Sequence, residues 1–94
     1  MTASGPVAKS LREKLEAAFA PSDLDIEDES SRHAGHSGVR EGGESHFRIR
    51  IVSAAFQGLS RVERQRRVYA ALAEEFAGGL HALALSTLTP EEVH

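Results

Sequence analysis

The stretch that decides the fold runs from Ser45 to Leu72. It reads Ser45-His46-Phe47-Arg48-Ile49-Arg50-Ile51-Val52-Ser53, then Ala54-Ala55-Phe56-Gln57-Gly58-Leu59-Ser60, then Arg61-Val62-Glu63-Arg64-Gln65-Arg66-Arg67-Val68-Tyr69-Ala70-Ala71-Leu72. Ile49 and Ile51 alternate with Arg48 and Arg50, the period-two pattern of a strand with one buried face. Gly58 marks a tight turn. Ser60 stands where a helix N-cap belongs, and Glu63, three residues on, completes a capping box. Val62, Tyr69, Leu72, Ala73 and Phe76 then recur at about helical spacing, so the stretch predicts strand, turn and long helix.

Upstream, Val7, Leu11, Leu15, Ala18 and Phe19 share one helical face, with Lys9, Arg12, Glu13 and Glu16 opposite, and Pro21 stops the helix. Met1 to Pro6 reads as a disordered polar tail. Leu24 and Ile26 alternate with Asp23, Asp25 and Glu27, which predicts a short strand with one wet side. The acidic group Asp23, Asp25, Glu27, Asp28 and Glu29 has no evident partner base, so it reads as a solvated strand edge that discourages edge-to-edge pairing. Residues 30–44 form a long flexible loop with four glycines, well beyond what a hairpin needs. Excess loop length in a small domain often carries function.

Downstream, Gly78-Gly79 ends the long helix. Leu80 to Thr87 is nearly continuous in apolar character, which suits a third strand covered on both faces. Thr89 and Pro90 open a short terminal helix as cap and first position. The order helix-strand-strand-helix-strand, with a short C-terminal helix, predicts an α+β two-layer sandwich.

Ninety-four residues suit a single domain spanning 1–94. The composition, 40% hydrophobic and 27% charged, is that of an ordinary globular chain. A net charge of −3 gives no global attraction to nucleic acid or to an anionic membrane. No apolar run approaches the roughly 18 residues a bilayer needs. Met1 to Ala8 lacks the basic start and apolar stretch of a secretory signal, so a cytoplasmic location is the default expectation. Cysteine is absent, which excludes disulfides and thiolate catalysis by this chain. Any soft metal centre would take histidine or carboxylate from this chain and thiolate from a partner.

His33 and His36 lie three apart in the long loop, where they read either as two imidazoles for one metal or as solvated loop. His81, beside Leu83 and Leu85, reads from its apolar strand as a satisfied core histidine. Arg61, Arg64, Arg66 and Arg67 crowd the start of the long helix. They read as phosphate contacts, as a partner surface, or as a solvated face paired with Glu74, Glu75 and the acidic strand. No nucleophile–base pair and no phosphate-cradling motif is present, so the chain does not read as an enzyme.

Ser-His-Phe ahead of Ile-Val-Ser, Phe-x-Gly-x-Ser, Arg-x-Arg-x-Val-Tyr and His-Ala-Leu-Ala, in this order and spacing, resemble the BolA family from about Leu11 to Pro90. The resemblance implies a fold similar to the type II KH arrangement. The Gly35-His36-Ser37-Gly38 match to a KH clamp is discounted, because it lies in the strand–strand loop. It also implies that His81 is the signature histidine and one cluster ligand. His33 is then the loop ligand, with His36 a second candidate and His46 structural or in support of a ligand. The partner implied is a monothiol glutaredoxin, which with its glutathione supplies sulfur to a shared [2Fe–2S] cluster. Alone, the chain would be monomeric and without cofactor, and it would not associate with membranes. The resemblance further implies a role in iron–sulfur cluster trafficking or iron sensing. The alternative is a DNA-binding transcriptional regulator using the turn and helix at 58–69. Two departures bear on this. Gln65 stands where the family often has histidine between two arginines, and the chain ends soon after Pro90, where longer members carry a tail that adds contacts.

Overall fold

The structure is a computed structural model, and it describes residues 5–29, 46–78, 80 and 82–93. Helix α1 spans Pro6–Phe19, followed by β1 (Asp23–Asp28) and β2 (His46–Val52). A 3-10 turn at Ala54–Phe56 leads into α2 (Arg61–Ala71) and α3 (Ala73–Ala77). Strand β3 (Ala82–Leu88) and a 3-10 turn at Pro90–Glu92 close the described chain.

The strands form a three-stranded sheet in the order β1-β2-β3. β1 and β2 are antiparallel, while β2 and β3 are parallel, so the sheet is mixed. The parallel pair requires a crossover, and α2 and α3 provide it. The alternation read from the sequence fixes the faces. Phe47, Ile49 and Ile51 of β2 are buried, as is Ile26 of β1, which sits opposite Ile49. Onto that face pack Leu11, Leu15 and Phe19 of α1, and Val68 and Leu72 around α2. Each such side chain, fully buried, contributes about 1.5–3 kcal/mol. The other face carries Arg48 and Arg50 between the acidic row of β1 and the small residues Ala84 and Ser86 of β3.

Three local expectations are corrected. The long helix is broken at Leu72 into α2 and α3. Its buried face is set by Val68 and Leu72; Val62 and Tyr69 are 58% and 40% exposed, and the Tyr69 ring instead rests 5.3 Å from that of Phe76. In α1, Ala8 is buried and Ala18 is exposed. Strand β3 is not covered on both faces: Thr87 is buried but Ala84 and Ser86 are exposed. The helices cover one face of the sheet, and the apolar run in β3 owes its look to small residues on the open side. Leu80, at the head of that run, precedes the strand and enters the core.

The ends of the elements follow their capping residues. α1 ends at Ala20, whose φ of 44° is left-handed and whose N–H donates to the Glu16 carbonyl at 3.0 Å. Gly58 takes a φ of +79° in the turn before α2, where a side chain would be strained. Ser60 Oγ accepts from Glu63 N–H at 3.1 Å as the N-cap, but the Glu63 carboxylate accepts from Arg66, so only the Ser60 half of the expected capping box is formed. Thr89 N–H donates to Glu92 Oε1 at 2.8 Å. Ser53, fully buried, donates from Oγ to the Phe19 carbonyl at 2.6 Å and so ties the end of α1 to the end of β2.

Candidate functional site

One end of the sheet gathers the chain segments that carry the histidines. β1 ends there, β2 begins there and β3 begins there. Asp28 is in register with Phe47, and Glu29 N–H donates to the His46 carbonyl at 2.8 Å. Across β2, His46 is in register with Ala82. Ala82 is the residue after His81, and Glu29 is the last described residue before the 30–45 segment that holds His33 and His36. His33, His36 and His81 themselves lie outside the described residues. His46 is half-buried at this end of the sheet.

Among the described residues there is no group of three or more histidine, cysteine, aspartate or glutamate side chains able to hold a metal ion. The chain has no cysteine, and His46 alone is insufficient. The described residues therefore do not complete a metal or cluster site by themselves.

The arginines separate into two kinds. Arg64 is an internal strut. Its side chain is only 12% exposed; Nε donates to the Leu59 carbonyl at 3.1 Å and Nη1 to the Thr87 carbonyl at 3.1 Å. The same guanidinium grips Glu92, with Nη1 to Oε1 at 2.7 Å. That hydrogen bond, with the Thr89 N–H, draws the Glu92 carboxyl down to about 2. Arg66 pairs with Glu63 on its own helix. Arg61 and Arg67 are exposed and have no carboxylate partner among the described residues. On the sheet, Arg48 pairs with Glu29 and Arg50 with Asp23, as expected for an acidic strand facing a basic one.

Glu74 and Glu75 do not neutralise the arginines of α2. They take Lys14 of α1 instead. Glu75 also accepts a 2.6 Å hydrogen bond from Ser10 Oγ. Burial pushes the Glu75 carboxyl up, but the bonds from Lys14 and Ser10 outweigh it and hold the group below its ordinary value. This Ser10–Lys14–Glu75 clamp was not legible in sequence, because Glu75 lies more than sixty residues from both Ser10 and Lys14.

A two-layer sandwich with a mixed three-stranded sheet defines a class rather than an activity. Among the described residues no helix is long and apolar enough to cross a membrane. A family profile described as BolA-like protein matches residues 15–92, and the chain belongs to the BolA family. It is 48% identical over 90 residues to BolA-like protein 1 of Homo sapiens, covering 96% of this chain and 63% of that protein. It is 47% identical over 97 residues to SufE-like protein 1, chloroplastic/mitochondrial, of Arabidopsis thaliana, covering 99% of this chain and 26% of that one. The chain thus spans under two thirds of the length of these relatives. The solved BolA domain of SufE1 from Arabidopsis thaliana superposes with a TM-score of 0.86 at 48% identity, covering 97% of this chain and all of that domain.

Proposed function

We propose that this chain is a non-catalytic adaptor. It binds a monothiol glutaredoxin and contributes His81, with His33 or His36, to a [2Fe–2S] cluster whose sulfur ligands come from the glutaredoxin and its glutathione. The role is in iron–sulfur cluster trafficking or iron sensing. The observation that carries this reading is the register at one end of the sheet. The start of β3, one residue after His81, lies beside His46, and His46 in turn receives the N–H of Glu29 at the mouth of the 30–45 segment. Three separate segments bearing histidine are thereby tethered to one sheet end. Family membership and the absence of cysteine support it further, since a half-site of histidines needs a partner with thiolates. Histidine on one iron raises the potential of such a cluster and makes its ligation proton-sensitive near neutral pH.

The test is a titration of cluster-loaded monothiol glutaredoxin with this protein, followed by visible absorption and circular dichroism. A saturable change at one-to-one stoichiometry, altered by His81→Ala and by one of His33→Ala and His36→Ala, is expected. No change on adding the wild-type chain, or an identical spectrum with His81→Ala, refutes the ligand role. The alternative, DNA binding through α2, draws on Arg61 and Arg67, the arginines of that helix with no carboxylate partner among the described residues.

A further inference from the structure

The two outer strands of the sheet differ in how they treat their free edges. β1 carries carboxylates at Asp23, Asp25, Glu27 and Asp28, which discourage a further strand from pairing there. β3 reads Ala82-Leu83-Ala84-Leu85-Ser86-Thr87-Leu88, with no charge and no proline, in unbroken register with β2. Its sequence holds none of the residues that blunt a sheet edge.

The hydrogen bonds identify the backbone groups that this edge offers. The Leu88 carbonyl receives the N–H of Ser53, at the end of β2. By the alternation of a strand, Leu88, Ser86 and Ala84 turn their backbone groups toward β2, while Leu83, Leu85 and Thr87 turn theirs outward. Helix α2 reaches two of the outward carbonyls. Tyr69 Oη donates to that of Leu83 at a long 3.5 Å, and Arg64 Nη1 to that of Thr87 at 3.1 Å. Leu85, between them, has neither its N–H nor its carbonyl paired among the described residues.

A groove of about 210 Å³ lies along this edge, lined by Arg61, Gln65, Leu85, Ser86, Thr87 and Leu88. Arg61, Gln65 and Tyr69 stand four apart and so form one row of α2 above it. Arg61 is exposed and has no carboxylate partner among the described residues. Thr87 Oγ1 is the one buried side-chain polar atom among them without a hydrogen-bond partner, and such groups are rare in native folds. Val62 and Tyr69, seven apart on α2, add exposed apolar surface on that side of the helix.

We infer that the outer edge of β3 is a docking site for an extended acidic segment of a partner protein, which adds as a fourth strand and sets a carboxylate on Arg61. The outward N–H groups of Leu83, Leu85 and Thr87 and the Leu85 carbonyl supply the ladder. Arg61 and Gln65 supply the polar anchor. A nucleic acid fits this edge less well, since its phosphodiester backbone has no N–H to give the Leu85 carbonyl. A second copy pairing through its own β3 brings no carboxylate on that strand to Arg61. The groove follows the Leu85–Leu88 half of β3, away from the His46 end, so the inference is independent of the cluster proposal.

The experiment is NMR on the full chain, with amide shifts and amide hydrogen exchange followed as synthetic peptides are added. The probes are a short peptide alternating valine and threonine with glutamates at both ends, the same peptide with lysines for the glutamates, and a version with a central proline. The glutamate peptide is expected to give saturable shifts at Leu83, Leu85 and Thr87 and about tenfold slower exchange at Leu85. The lysine peptide binds several-fold more weakly, and the proline peptide, which cannot complete the ladder, does not bind. Arg61→Glu reverses the preference between the glutamate and lysine peptides. A glutamate in the first turn suits a helix N-terminus, and unchanged exchange at Ile49 and Ile51 verifies that this variant is folded. Absence of a saturable shift with the glutamate peptide overturns the inference. So do shifts confined to α2 with no slower exchange at Leu85, which mean ion pairing without a strand. A thymidine oligonucleotide that binds this edge as tightly as the glutamate peptide makes it a nucleic-acid surface, and Leu85 shifts that grow with protein concentration alone make it a contact between copies; either result overturns the inference.

Discussion

Replacing Arg64 by glutamine should destabilise the fold far more than replacing Arg61, although both look alike as cations at the start of a helix. The Arg64 guanidinium bonds the carbonyls of Leu59 and Thr87, each at 3.1 Å, from a side chain only 12% exposed. Hydrogen bonds from a charged donor contribute about 1.5–3 kcal/mol each, and glutamine is too short to reach both carbonyls. Taking the lower end, because water can partly replace the donor, the two bonds sum to about 3 kcal/mol. The pairing with Glu92 faces water and is left out of the sum. For a domain of this size about 1 kcal/mol moves the midpoint by roughly 4–8 °C, so Arg64→Gln should melt about 12–24 °C below wild type. Arg61 is exposed and has no partner among the described residues, so Arg61→Gln should stay within about 0.5 kcal/mol. Thermal and urea denaturation followed by far-UV circular dichroism decide the matter. A loss below about 0.5 kcal/mol for Arg64→Gln, or equal losses for the two variants, would show that the strut does not bear on stability. A large loss also means that reduced partner or nucleic-acid binding by an Arg64 variant reports unfolding rather than a lost contact.

Two further predictions concern charge. Glu75 and Glu92 both titrate below the ordinary 4.5 in the folded protein, Glu92 at about 2, so their stabilisation is present above that ordinary value and is lost as pH falls through the folded values. Denaturation midpoints should be flat from neutral pH to about 5 and then fall toward pH 2, with a shallower fall in Arg64→Gln; a midpoint constant down to pH 2 contradicts the assignment. If the chain binds DNA through α2, only Arg61 and Arg67 are at hand to neutralise phosphates, and two contacts give a log–log salt slope of about −1.8, or roughly tenfold weaker binding for a fourfold rise in salt. A slope of about −3.6, as if all four arginines met phosphates, would contradict the internal placement of Arg64.

The strand and cap signals were legible because they are local. Ile49 and Ile51 between two arginines, Ser60 ahead of Glu63 and Gly58 in the turn each express a constraint that a few adjacent residues satisfy alone. The buried face of the long helix was misread because Val62 and Tyr69 are apolar yet exposed, while polar Arg64 turns inward to reach two carbonyls. Residue type predicts burial only where partners are not specified, and the partners of Arg64 come from a turn and from β3. β3 was misread for a related reason: alanines lengthen an apolar run without needing cover. At the candidate site the sequence names histidines in separate segments, but that β1 ends where β2 and β3 begin emerges only from the strand pairing. The clamp was not legible either, since Ser10, Lys14 and Glu75 signal nothing until α1 and α3 lie side by side.

A chain this short has one small core and no disulfide or cysteine to reinforce it, and the distribution of its polar bonds answers that deficit. Ser53 ties the end of α1 to the end of β2, Arg64 ties α2 to the end of β3 and to the terminal turn, and Glu75 ties α3 to α1. Each bond reaches the end of an element, and each joins segments distant in sequence. Ser53 and Arg64 act at the end of the sheet opposite His46, where β2 and β3 finish. At the histidine end the corresponding tie is Glu75, reaching the lead-in to β3 through the Leu80 N–H. All three ties therefore close the frame of the fold at element ends, one of them beside the sheet end where β1 finishes and β2 and β3 begin.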